Sequence, residues 1–216
     1  MTYLEIVNNI LRRLRERTVS TVNESAYSAL IGILVNDAKQ EIEQAWDWSA
    51  LRTTLTATTQ QGVFAYELTG SGDNLKVLDV VNDTSNNFLE YKSAHEFNRY
   101  YLTNDPAPEG SPRYYSFNGL TDEGDTIAEV YPPPDGVYAI RFNIVDRRPA
   151  LSTDTDQLYI PTQPVIQLAY AKAVEERGED GGVAGASAYN TASRVLSDAI
   201  ALDAAKHPEE TIWYTV

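Results

Sequence analysis

The chain has 216 residues, 43% of them hydrophobic and 10% aromatic, which is a folded composition long enough to bury a sizeable core in one large domain or two small lobes. Its formal charge of −14, from 17 Lys and Arg against 31 Asp and Glu, argues against a protein that grips nucleic acid by neutralising phosphates. The lack of cysteine excludes disulfides, thiolate metal sites and cysteine nucleophiles, and the lack of any run of about 18 uncharged apolar residues leads to the expectation of a soluble protein made inside a cell.

Thr2 and Glu5 have capping-box spacing, and Leu4, Val7, Ile10, Leu11 and Leu14 follow at helical intervals, so a first helix is predicted over about 3–17. It ends in Arg12, Arg13, Arg15 and Arg17. These four cations either offset the helix dipole or form a contact patch for an acidic neighbour. Asn23 caps a second helical pattern over about 23–48, closed by Trp46 and Trp48. From Leu51 the period becomes alternating, and strands are predicted at 51–59, 63–68, 75–82, 86–92, 113–118, 126–131 and 137–146. Gly and Pro turns punctuate them, and Ser93 with Glu96 starts a short helix at SAHEFNRYYL. Beyond the loop RRPALSTDTDQLYIPTQ, helices are predicted over 164–177, with Pro164 in the first turn and Gly178 at the end, and over 183–205, stopping before Pro208.

These elements predict an α+β fold: a four-helix bundle made of helices 3–17, 23–48, 164–177 and 183–205, with an inserted antiparallel β-sandwich or barrel lobe. The expected domains are residues 1–50 with 160–207 as the helical bundle, 51–159 as the inserted lobe, and 208–216 as a C-terminal tail.

Chemistry is sparse. His95 and His207 are the only histidines, neither lies in a metal-binding pattern, and no nucleophile elbow, P-loop or dinucleotide fingerprint occurs. The acidic runs Asp122-Glu123-Gly124-Asp125 and Asp154-x-Asp156 lack calcium-loop spacing and read as solvated turns. No cofactor, metal or catalytic residue is therefore assigned, and the expectation is a protein that is not an enzyme. Tyr100-Tyr101 and Tyr114-Tyr115 allow an alternative, a carbohydrate-binding virion or surface module. Adjacent strand residues face opposite ways, however, so only one of each pair is free to stack on a sugar. The tail EETIWYTV carries Ile212, Trp213, Tyr214 and Val216 at a chain end. Such bulky residues either fold back on their own domain or dock on a neighbour.

Trp46 and Trp48 stand where a helix hands over to a strand, and are expected to plug the seam between bundle and lobe. The W-x-W-x-x-L-R segment leading into a Thr-rich strand resembles the head-to-tail adaptor proteins of tailed bacteriophages, including podovirus tail tubular protein A and related neck or gateway proteins. SAHEFNRYY, SPRYYSFNG, IAEVYPPPDGVYAIRFNIVDRRPAL and LYIPTQPVIQLAYAKAVEE follow in the same order, so the likeness covers roughly residues 23–177. The resemblance implies a structural protein of the virion neck, made in the host cytoplasm. It also implies a homo-oligomeric ring, commonly of about 12 copies, stacked beneath the portal protein. That ring joins the portal to a downstream tail or nozzle protein and extends the channel through which DNA passes as cargo, with no membrane partner. Acidic charge suits a channel to which DNA does not stick.

Overall fold

The computed structural model describes residues 1–72, 74–104, 107–178 and 183–207. It falls into two compact units: Met1–Leu51 with the described part of Arg148–Val216, and Arg52–Arg147.

In the helical unit, α1 is Tyr3–Arg13, α2 Ala26–Ala45, α4 Thr162–Arg177 and α5 Val183–Ala204. The Thr2 hydroxyl accepts the Glu5 N–H at 3.3 Å, and the Glu5 carboxylate accepts the Thr2 N–H at 2.9 Å. The predicted capping box thus satisfies two orphan donors at once. The cap of α2 is Ser25, which exchanges hydrogen bonds with Ser28, while Asn23 sits in a short 3-10 turn, Val22–Glu24. Ile6, Val7, Ile10 and Leu11 of α1, Ile31, Val35 and Ile42 of α2, and Val165, Ile166 and Ala169 of α4 are all fully or almost fully buried. The loop before α4 stitches down the start of α1. The N–H groups of Tyr3 and Leu4 donate to the carbonyls of Asp156 and Asp154, and the Asp154 carboxylate accepts the Val22 N–H at 2.9 Å.

The unit is not the predicted four-helix bundle. The described residues hold five α-helices, one of them in the β unit, and two four-stranded sheets. Three helices supply the core. α1 packs on α2 and α4, whereas α5 lies along α4 and, among residues whose side chains are described, buries only Ala192 and Asp203. Its alanines read as an apolar stripe in sequence, yet alanine offers too little surface to demand a shared core. α1 also stops four residues early. Arg15 adopts φ 59°, its N–H bonds to Arg12 O, and the Glu16 N–H bonds to Leu11 O. This is a Schellman close with arginine at the left-handed position where glycine is usual.

In the β unit, β1 (Arg52–Thr58), β8 (Ala139–Asp146), β3 (Leu75–Asn82) and β4 (Asn87–Phe88) form one sheet in that order. β2 (Ala65–Glu67), β7 (Thr126–Tyr131), β6 (Tyr114–Leu120) and β5 (Glu90–Tyr91) form the other. Val80, Ile140, Phe142 and Ile144 from the first sheet meet Ala128, Val130 and Tyr115 from the second in one buried cluster. The sheets are not wholly antiparallel as predicted, because β5 runs parallel to β6. The cause is local. The run predicted as one strand over 86–92 is split at Leu89, whose N–H bonds to Val80 O and whose buried side chain plugs the core, so the chain leaves one sheet at β4 and joins the other at β5. α3 (Ala94–Thr103) then starts from its Ser93–Glu96 capping box and buries Phe97 against Tyr131.

Candidate docking surfaces

Arg12, Arg13, Arg15 and Arg17 are all exposed at the end of α1. Arg12 and Arg13 occupy the last helical turn, where they complement the dipole, but Arg15 and Arg17 lie beyond it. The carbonyl of the α1 cap residue, Leu14, is instead taken by Arg177 of α4 at 3.1 Å, and Arg177 also pairs with Glu16 and covers the ring of Tyr27 at 5.1 Å. The Arg13 Nε donates to Asn9 at 3.0 Å, while no ion pair or hydrogen bond engages the side chains of Arg12, Arg15 and Arg17 among the described residues. Four cations therefore face solvent on an otherwise acidic chain.

The two tryptophans close α2. The Trp48 indole is fully buried and donates to Ile42 O at 2.7 Å, so it satisfies one of the carbonyls that a helix end leaves open. Trp46, the half-buried cap residue, donates to Asp203 at 3.2 Å. Asp203 is the centre of a knot that has no local signature in the sequence. Its carboxylate also accepts the Ser49 N–H at 2.9 Å, the Ser49 hydroxyl at 2.8 Å and the Lys206 ammonium at 2.9 Å. Burial pushes this carboxyl up, but the bonds from Lys206 and Ser49 outweigh burial and hold it below its ordinary value. His207 Nε2 lies 3.0 Å from the Ser49 oxygen. Serine, histidine and aspartate meet here, yet the carboxylate bonds the serine rather than orienting the imidazole, so the serine hydrogen is held by an acceptor and not drawn off by a base. The knot fastens the end of α5 to the segment after α2.

Ile212, Trp213, Tyr214 and Val216 lie outside the described residues. The acidic runs are structural. Asp125 accepts the N–H groups of Gly70 and Gly72, which hold its carboxyl below the usual range. Asp156 is lowered to about 2 by the Thr153 hydroxyl and the Thr153 and Ser152 amides. Among the described residues no group of three or more His, Cys, Asp or Glu side chains could hold a metal ion, and no helix is long and apolar enough to cross a membrane. His95 is exposed on α3.

The tyrosines that a sugar platform would need are engaged with one another. Tyr100 stacks on Tyr114 at 5.7 Å and on Tyr131 at 5.1 Å, and the Lys92 ammonium stands 5.2 Å from the Tyr114 ring centre. An open groove of about 530 Å³ runs beside them, lined in part by Phe88, Glu90, Arg113 and Tyr114. Phe88 is its one aromatic with free faces, being 71% exposed.

Residues 1–209 match a family model described as SU10 adaptor protein. No curated protein matches the chain.

Proposed function

From the premise that the chain belongs to the SU10 adaptor protein family, a family of structural head-to-tail adaptors of phages, we propose that it forms a ring in the virion neck between portal and tail. The observation that carries this reading is a family match running through both units and 209 of 216 residues. Copies, about 12 as the resemblance to head-to-tail adaptors implies, close into a ring, stack beneath the portal protein, receive a downstream tail protein and extend the DNA channel. The protein is made in the host cytoplasm and acts in the virion. The likeness to podovirus tail tubular protein A rests on motif order in residues 23–177, and the family match selects no tail type.

Two physical features support this reading. The charge of −14 lets DNA pass without adhering, since like charge raises its energy near the wall. The exposed arginines at 12, 13, 15 and 17, at and just beyond the end of α1, offer positive charge suited to an acidic face of a ring neighbour or the portal.

Mixing the purified protein with the portal ring encoded beside it tests the proposal, with the product mass read by native mass spectrometry. A stoichiometric ring-on-ring complex is expected. A variant with Arg12, Arg13, Arg15 and Arg17 all changed to Gln, which removes the charge without placing anions at the helix end, is expected to keep its fold and to assemble at least about tenfold more weakly, with the wild-type affinity falling as salt rises. A wild-type protein that stays monomeric beside an intact portal overturns the ring reading, and unimpaired assembly of the variant removes the patch from it.

A further inference from the structure

The open groove of the β unit lies where the chain crosses from one sheet to the other. Leu89 turns its side chain into the core, so Phe88 and Glu90 on either side of it project the other way and line the groove. Their backbone is pinned from both sheets, because the Leu89 N–H donates to Val80 O and the Glu90 N–H to Arg113 O, each at 2.9 Å. The Arg113 N–H donates in turn to Tyr131 O at 2.9 Å. The lining is therefore held in place by the sheets themselves.

A buried amide sets the hydroxyl part of that lining. Asn82 is fully buried; its Oδ1 accepts the N–H groups of Thr84 and Ser85 at 3.1 and 3.0 Å, and its Nδ2 donates to the Ser111 oxygen at 3.3 Å. Ser111 and Ser85 share a hydrogen bond of 2.8 Å, which leaves the exposed Ser85 hydroxyl capacity for further bonds. Charged groups complete the lining. Among the described residues no hydrogen bond or ion pair engages the Arg113 guanidinium, and the exposed Glu90 carboxylate meets only Lys92, at 3.5 Å.

An aromatic ring with free faces, set beside groups that donate and groups that accept, is the recognition chemistry of a sugar. The C–H groups of a pyranose form a flat apolar face that rests on such a ring, while its hydroxyls need partners of both kinds. Other ligands suit the groove less. Nucleic acid is disfavoured, because one unpaired cation stands against a carboxylate on a chain of charge −14. A peptide strand would find only the two residues of β4 to pair with. An acidic sugar would meet Glu90, so the ligand is neutral. We propose that the groove binds a neutral oligosaccharide, with Phe88 as the stacking platform and Ser85, Glu90 and Arg113 as partners for its hydroxyls. The tyrosine pairs do not supply the platform, since Tyr114 already stacks on Tyr100.

The test is an array of neutral and acidic oligosaccharides, built from the common hexoses, N-acetylhexosamines and deoxyhexoses, probed with the full-length protein alone. Affinities for the sugars retained are then measured by calorimetry. Saturable binding to neutral sugars is expected, unchanged as salt rises. Phe88→Ala removes an exposed ring and Arg113→Gln an unpaired charge, so both are expected to keep the wild-type Tm, and each to weaken binding by at least about tenfold. Leu102→Ala truncates an exposed side chain of α3 outside the groove and is expected to bind as the wild type does. Failure to bind any neutral sugar overturns the proposal, as does binding that Phe88→Ala retains in full. Wild-type affinity in Arg113→Gln removes that residue from the site. Capture of acidic sugars only, weakening with salt, overturns the neutral class. If no sugar binds and hydrogen exchange in residues 85–90 slows only on the portal ring, the groove takes protein instead. Sugar binding is read on the protein by itself, so a failed ring leaves it standing and failed binding leaves the ring reading untouched.

Discussion

Asp203 shows how much one residue can join. It is 5% exposed and accepts bonds from Trp46, Ser49 and Lys206, which come from both segments of the helical unit. Asp203→Ala strands the half-buried Trp46 and Ser49 donors, with an expected cost of about 1–3 kcal/mol read from the urea midpoint. The sign of the pH dependence follows from its lowered pKa. The contribution is present above the unfolded value, about 3.9, and is lost as pH falls through the folded value beneath it. Asp203→Asn is therefore expected to be less stable at pH 7 and to lose less than the wild type on going to pH 3; equal acid sensitivity of the two would show that the knot is not ionic. None of this was legible locally, because Asp203 looks like an ordinary polar position on a helix and its partners are 154 and 157 residues away.

Among the elements, α1 and α2 meet through a missing side chain. A Cβ on Gly32 would collide with the Tyr3 hydroxyl and come within 2.8 Å of Val22 Cγ1. Helix propensity favours alanine over glycine by about 1 kcal/mol, yet crowding a packed contact costs about 1–3 kcal/mol. Gly32→Ala is therefore expected to lower Tm, and a rise would show that Tyr3 moves aside freely. Capping boxes at Thr2 and Ser93 were readable because their partners are three residues away. The predicted strands at 75–82 and 126–131 match β3 and β7 in extent, since alternation and turn residues bound them on both sides. The strand predicted at 86–92 failed because one apolar residue, Leu89, turns between two sheets without a Gly or Pro to mark it. The α1 end was misplaced for a similar reason, since arginine gives no warning of a left-handed turn.

For the whole molecule, charge is the property the sequence states most plainly. An acidic protein that guides DNA without holding it should leave duplex DNA unshifted in a gel at about 10 μM protein and 150 mM salt. Retention under those conditions would contradict a channel through which DNA slides. Charge, the absence of cysteine, the capping boxes and the period of each segment were determined by the sequence alone, because they depend on residue identity and on neighbours within a few positions. The collinear motifs over 23–177 likewise pointed to the head-to-tail adaptors, to which the family match assigns the chain. Only the tertiary structure decided that three helices rather than four make the helical core, that β5 joins its sheet in parallel, and that Asp203 ties α5 to Ser49 and Trp46. Each of these depends on which surfaces meet across a hundred or so residues, and burial and hydrogen bonding at that range are settled by packing rather than by local pattern.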